Sequence, residues 1–427
     1  MDVIIGPGTL RGTIKAIPAK SELHRALICA AFADRPTEVL LDGRPYAAGI
    51  PDDIRATVSC LQALGAGIGP SENGFSVGPV RSVPEDPVLD CLESGSTLRF
   101  MLPVAAAVSG HAAFTGSGRL PDRPVSELVR AMESHGVSFT ADRLPLETHG
   151  RLEAGDYEIP GNVSSQYITG LLLAFPLLKE ACSLRLTTAL HSADYVHITL
   201  DVLSRFGVRI AGDGSVYQTE AAETYRSPGT VRIGGDWSNA AAFLVMGVLG
   251  AGNDVTAEGL DPDSSQGDRA VTALLRAMGG SVINEQNGVR AVSSPLRSAE
   301  IDIDPTPDLM PVLAAAACGA SGTTVFRNAG RLRLKESDRI RSTADLIRSL
   351  GGAAEEGPDY LAVTGTGRLK GGTADAGGDH RLVMAAAAAS CIADGPVRIL
   401  GAEAVNKSYP SFFNDFKTLG GNVHVVL

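Results

Sequence analysis

Apolar positions along this chain fall into a repeating order: a polar or charged opening, a nearly continuous apolar helix, a short glycine-containing turn, then a β-rich run. Six segments share it. They begin SELHRALICAAF at Ser21, STLRFMLPVAAAV at Ser96, SSQYITGLLLAF at Ser164, SNAAAFLVMGVLG at Ser238, DLMPVLAAAACG at Asp308 and DHRLVMAAAAAS at Asp379. The period is roughly 70 residues, longer than solenoid repeats of about 20–50. Each copy has a second half carrying an amphipathic helix, as in VSELVRAMESHG, where Val125, Leu128, Val129 and Met132 keep the i, i+3, i+4, i+7 spacing. A glycine follows each second helix, which predicts a C-cap. The first helices are apolar almost all round, so full burial beneath the β-rich pieces is expected. The pattern therefore predicts six βαβα-type units. Domain size favours two lobes of three, with 225–236, between the third and fourth copies, as the natural boundary.

Composition adds limits rather than a function. The 427 residues are 44% hydrophobic, 20% charged and only 5% aromatic, ordinary globular material with ample core. A net charge of −11 argues against a general nucleic-acid or acidic-membrane binder, though not against small anionic substrates. The opening MDVIIGPGTL shows no basic region followed by a long apolar stretch, and no apolar run approaches the ~20 residues of a membrane span, so a cytoplasmic location is expected. The six cysteines form no CxxC or CxxH pair, which predicts reduced, buried thiols and no metal site.

The chemistry-bearing residues gather at helix starts: Lys20-Ser21, Ser94-Gly95-Ser96, Ser164-Ser165-Gln166, Asp379-His380-Arg381, and, before second helices, Asp122-Arg123-Pro124, Lys335 to Arg339 and Asn406-Lys407-Ser408. Free N–H groups and the helix dipole favour anions there. Serine, threonine and aspartate are also ordinary N-caps. The adjacent cations are more informative, because positive charge at a helix N-terminus needs an anion to answer it. Neither a P-loop nor a dinucleotide fingerprint is present. His380 reads as structural, and Arg99 as a salt-bridged helix residue.

In order along the chain, KSELHR, ESGSTLRF, DRP, SSQ, LKESDR, GDHR and NKSYP resemble the EPSP synthase (3-phosphoshikimate 1-carboxyvinyltransferase) family from Lys20 to Lys407. The resemblance implies an α/β fold of two lobes, each of three βαβαββ units, in an inside-out α/β barrel arrangement. One lobe would be 14–232; the other would be 1–13 plus 233–427, with the active site in the cleft between. The implied reaction moves the enolpyruvyl group of phosphoenolpyruvate to the 5-hydroxyl of shikimate 3-phosphate by addition and elimination, releasing phosphate, with no cofactor or metal. The implied protein is a monomer. Two phosphates at about −1.5 to −2 each and two carboxylates suit the motif cations Lys20, Arg25, Arg123, Lys335, Arg339, Arg381 and Lys407.

The resemblance also assigns roles. Lys20, Ser21, Arg25, Ser164, Ser165, Gln166, Ser192, Tyr195, Asp308 and Lys335 would bind shikimate 3-phosphate. Lys20, Gly95, Arg123, Gln166, Arg339, Arg381 and Lys407 would bind phosphoenolpyruvate, with Arg339 and Arg381 clamping its carboxylate through planar guanidinium groups. Asp308 would be the base toward the attacking hydroxyl, and Glu336 and Lys20 would carry protons to and from C3. Glu93, Arg331 and the Ala193-Asp194 pair depart from the commoner family pattern, and Asp194 beside a phosphate site needs a charge partner.

Two other readings stand beside this one. The sister transferase acting on UDP-N-acetylglucosamine usually carries a reactive cysteine in the loop matching 116–122, which has none here. A non-catalytic phosphate-sugar binder on the same scaffold would be expected to lack Asp308, Glu336 or a clamp arginine.

Overall fold

A computed structural model describes residues 1–41 and 49–426. It divides into two compact units: one of Met1–Ala19, 49–51 and 234–426, the other of 20–41 and Asp52–Ile233. The first crossing falls after Ala19 rather than after 13. Strand Arg11–Lys15 accounts for this, because it pairs in parallel with Asp254–Glu258 and so belongs to the first unit.

The described strands form six sheets, three in each unit, and all six share one plan. An edge strand pairs in parallel with its neighbour and the remaining pairs are antiparallel, except that Ala320–Arg327 takes two short parallel partners, Leu296–Arg297 and Glu300–Asp302. In one sheet Thr230–Ile233 runs parallel to Thr37–Leu41, which pairs antiparallel with Gly74–Gly78, itself antiparallel to Gly67–Ser71. In another, Val88–Asp90 is parallel to His111–Thr115, followed by Leu146–His149 and Ser138–Phe139.

The first helix of every copy is buried, as its apolar sequence requires. These helices are Lys20–Ala31, Gly95–Val108 and Ser165–Leu178 in one unit. Trp237–Leu249, Met310–Cys318 and His380–Ser390 are their counterparts in the other. Small residues let them approach closely: a Cβ on Gly170 would stand 2.3 Å from the Arg99 carbonyl oxygen of the neighbouring helix. The second helices lie outside, and the glycines after them (65, 136, 207, 279, 351 and 420) all adopt positive φ, the expected C-cap conformation.

Five of the six free cysteines are buried; Cys391 is only partly so, a small departure from the expectation of uniform burial. No described helix is long and apolar enough to cross a membrane.

Candidate active site

In the unit containing 52–233, three inner-helix starts carry the predicted residues. Ser94 caps Gly95–Val108 by accepting from Thr97 N, and Ser164 caps Ser165–Leu178 by accepting from Gln166 N. The Ser164 hydroxyl is thus engaged as an ordinary cap. Lys20 opens its helix and reaches the Asp53 carboxylate at 2.6 Å.

Arg25, one turn on, is 2% exposed, yet its guanidinium donates to neutral oxygens: Thr199 Oγ1 at 2.8 Å, Thr169 Oγ1 at 3.2 Å, and the carbonyls of Ser21 and Tyr195 at 2.5 and 3.0 Å. Burial pulls its pKa down to about 10. This hydroxyl-lined setting differs from a helix salt bridge. It also brings Ser21 and Tyr195 to Arg25 through their backbone. Ser192, the residue ahead of the Ala193–Arg205 helix, is buried with φ of 52°. Asp194 Oδ1 lies 3.6 Å from His197 Nδ1.

A second cluster in this unit gathers Gly95, Ser96, Arg99, Arg123 and Gln166. Gln166 is held at both ends of its amide: Oε1 accepts from Arg99 Nη1 at 2.6 Å and Nε2 donates to Ser96 Oγ at 2.9 Å. A Cβ on Gly95 would lie 2.6 Å from Arg123 Nη1 and 2.8 Å from Arg99 Nη1. Glycine is what lets two guanidinium groups close over the helix start. Arg99 thus packs over this helix start, joined to Gln166. It is 4% exposed and also donates to the Pro124 carbonyl. Its signal was its place one helical turn after Gly95.

The other unit holds a carboxylate–guanidinium array. Asp308 lies in the turn Pro307–Leu309 ahead of the Met310–Cys318 helix. Its side chain accepts from Arg339 Nη1 at 2.6 Å and Arg381 Nη2 at 3.3 Å, with Lys335 Nζ at 3.9 Å. Arg339, 1% exposed, spends its fork on carboxylates: Nη1 on Asp308, Nη2 on Glu336 at 2.7 Å and Nε on Asp379 at 2.8 Å. Asp379 also accepts from Ser337 Oγ and from Arg381 N, capping the His380–Ser390 helix. Arg381 donates to the carbonyl and hydroxyl of Ser238. Lys407 is 7% exposed, and the neighbouring Ser408 hydroxyl donates to Asn239 Oδ1.

The electrostatics follow from this packing. Burial alone would raise the Asp308 pKa, but Arg381, Lys335 and Arg339 overcome it and hold the carboxyl well below its usual range. Burial likewise disfavours the Arg339 charge, and Asp379, Glu336 and Asp308 outweigh that. Asp268 goes the other way: burial and the Asp308 charge push it up to about 7. Sequence reasoning missed Asp379 and Asp268 as members of this array. Asp379 sits two residues from Arg381 in GDHR, a readable signal; Asp268 comes from a 3₁₀ turn with no marked motif. Of the departures, Arg331 pairs with Asp304, and Glu93 Oε1 lies where a Cβ on Gly118 would be, so a side chain at 118 would displace it.

The fold defines a class first. An EPSP synthase structure from Acinetobacter baumannii is similar with a TM-score of 0.82 at 22% identity, covering 100% of each chain. The enolpyruvyl transferase NikO from Streptomyces tendae is similar with a TM-score of 0.75 at 20% identity, covering 99% of this chain and 98% of NikO. These likenesses establish the enolpyruvyl-transferase fold. The family model for EPSP synthase (3-phosphoshikimate 1-carboxyvinyltransferase) matches residues 4–416. The 3-phosphoshikimate 1-carboxyvinyltransferase of Clostridium kluyveri is 40% identical, covering 99% of this chain and 98% of its own. That of Halobacterium salinarum is 38% identical over 99% of both chains. The chain belongs to the EPSP synthase family.

Proposed function

We infer that this protein transfers the enolpyruvyl group of phosphoenolpyruvate to the 5-hydroxyl of shikimate 3-phosphate, releasing phosphate. The observation that supports this reading most directly is the ionised Asp308 set among Arg339, Arg381 and Lys335, with Glu336 on the same arginine. A hydroxyl nucleophile needs an acceptor for its proton, and an enol carbon needs a donor and then an acceptor. Asp308 takes the hydroxyl proton as oxygen attacks C2. Glu336 and Lys20 serve C3, which gains a proton on addition and loses it as the C2–O bond to phosphate breaks.

The arginine fork has a second use. An incoming carboxylate competes with Asp308 and Glu336 for Arg339 and Arg381. Each bond it captures removes positive charge from Asp308 and restores basicity there. Binding thereby arms the base. Arg25, with Ser21, Ser165 and Tyr195, is assigned to shikimate 3-phosphate, together with Lys20, Ser164, Gln166, Ser192 and Lys335. Gly95, Arg123, Lys407, Lys20 and Gln166 are assigned to phosphoenolpyruvate. Arg99 acts through Gln166 and is a positioning residue.

The test is phosphate release from phosphoenolpyruvate in parallel tubes, one with shikimate 3-phosphate and one with UDP-N-acetylglucosamine. Release only in the first is expected. Release only in the second would transfer the protein to the sister reaction, and no release in either from folded protein would reduce it to a binding role.

A further inference from the structure

The sheet of Val88–Asp90, His111–Thr115, Leu146–His149 and Ser138–Phe139 turns one face away from the buried helices. On that face His111 is paired in register with His149, and Glu147, two residues earlier on the same strand, projects on the same side. Their ligating atoms converge. Glu147 Oε2 lies 3.4 Å from His111 Nε2 and 3.6 Å from His149 Nε2, and all three atoms are within 4.8 Å of one another. The two imidazole rings stack with centroids 4.9 Å apart. Among the described residues this is the one group of three or more such side chains close enough to share an ion.

The spacing is what a metal requires. Bonds of about 2.1 Å in tetrahedral directions separate the ligand atoms by about 3.4 Å. Both Glu147 distances are near that edge length before any ion has drawn the atoms inward. A second feature sets this apart from a chance surface cluster. The far nitrogen of His111, Nδ1, is 2.7 Å from Asp86 Oδ1. A carboxylate on the distal nitrogen fixes ring orientation and aims Nε2 at the shared point, the outer-shell arrangement of zinc-bound histidines. Two imidazoles and one carboxylate oxygen form a borderline donor set, suited to zinc and poorly suited to magnesium or calcium. Partial exposure of His149 and Glu147 leaves room for water as a fourth ligand.

We propose that His111, Glu147 and His149 bind one Zn²⁺ ion, with Asp86 orienting His111. The ion takes no part in enolpyruvyl transfer. The Gly95–Val108 helix, 14 residues long, ends just before His111. At 1.5 Å per residue it places the ion about 20 Å from Gly95. What the ion does is tie the His111–Thr115 and Leu146–His149 strands to the segment around Asp86. It is a clamp on one repeat unit, and this proposal stands independently of the reaction assigned above.

The test uses the full chain, stripped by chelator and titrated with Zn²⁺ by calorimetry, with Co²⁺ as a spectroscopic probe. Wild type is expected to take up one ion, to give the visible absorption of tetrahedral Co²⁺, and to melt at higher temperature with Zn²⁺ than without. His149→Ala and Glu147→Gln should weaken binding by at least about tenfold and abolish the spectrum, and Asp86→Asn should weaken it by about 10–100-fold. All three positions are at the surface, and a melting curve without metal verifies folding. Transfer activity of His149→Ala should match wild type. Equal Zn²⁺ affinity in wild type and a His111→Ala/His149→Ala double variant would overturn the proposal. So would no uptake by wild type with Zn²⁺ in excess.

Discussion

Arg25 in one unit, a turn into its helix, and Arg339 in the other, at a helix start, are both buried guanidinium groups, and they are neutralised in opposite ways. Arg339 places all three nitrogens on carboxylates. Arg25 places its nitrogens on hydroxyls and carbonyls, while the nearby Glu22 carboxylate is 3.5 Å from Arg205. A buried charge held by neutral dipoles keeps its attraction for an anion; one already paired with carboxylates takes a further anion only in competition with them. The first arrangement suits capture of a substrate phosphate. The second suits a preorganised array in which Asp308 is held ionised and oriented. The same repeat scaffold holds a hydroxyl-lined guanidinium in one unit and a carboxylate-lined one in the other.

The most severe way to break this contrast is Asp308→Asn. The amide keeps the shape and can still accept from Arg381, but cannot take a proton. Turnover should fall by about 10²–10⁴-fold, the usual worth of a positioned general base, with substrate KM changed far less. A steady-state assay showing turnover within threefold of wild type would remove Asp308 from the chemistry.

Stability should separate the two arginines next. Arg339→Met leaves Asp379, Glu336 and Asp308 without their shared cation, and Asp379 is fully buried. Breaking such a network costs about 3–5 kcal/mol. Arg25→Met strands no carboxylate, and the hydroxyls of Thr169 and Thr199 still bond each other at 2.8 Å. Its stability should lie within about 1 kcal/mol of wild type, even though its affinity for shikimate 3-phosphate collapses. Denaturant midpoints for both variants check this, and equal losses would erase the distinction.

How much of this was legible beforehand differs between the two units for a physical reason. The six copies, the buried inner helices and the glycine caps follow from periodicity and backbone chemistry, which are local. The cations were readable because they sit beside helix starts. The answering groups were not. Thr169 and Thr199 meet Arg25 from 144 and 174 residues away, and nothing in a lone threonine marks it as a guanidinium acceptor. Asp268 reaches the Asp308 array only through tertiary packing. An arginine four residues into a helix carries no sequence mark of its partner, so the Arg99 bond to Gln166 was not legible. The first boundary was set too early because strand Arg11–Lys15 is assigned by its pairing partner near residue 256, not by its own composition.

Gly95→Ala probes the receptor side at one atom. The added methyl would meet Arg123 and Arg99 at 2.6 and 2.8 Å, and the long side chains can retreat. The expected result is an approximately tenfold rise in KM for phosphoenolpyruvate, about 1.4 kcal/mol of binding, with kcat little altered. A fall in kcat at unchanged KM would place Gly95 in the chemistry instead.

The smallest effects come from two buried titrating groups whose pH responses oppose each other. His24, 2.7 Å from Thr57 Oγ1, is pulled down to about 3 by burial. The unfolded chain takes up its proton below about 6.5 while the native one refuses it. His24 therefore contributes stability that is present above pH 6.5 and lost as pH falls toward 3. Asp268 is raised to about 7, chiefly by burial, from 3.8. The native state keeps its proton where the unfolded chain has released it, so its contribution is complete below about 3.8 and is lost as pH rises through 7. His24→Gln should gain on wild type as pH falls from 7 to 4, and Asp268→Asn should gain as pH rises from 4 to 8. The two variants should therefore differ in the sign of their melting-temperature change with pH. Scanning calorimetry across this range checks the signs. Parallel pH profiles for both variants would mean that the two units do not differ in how they hold buried charge.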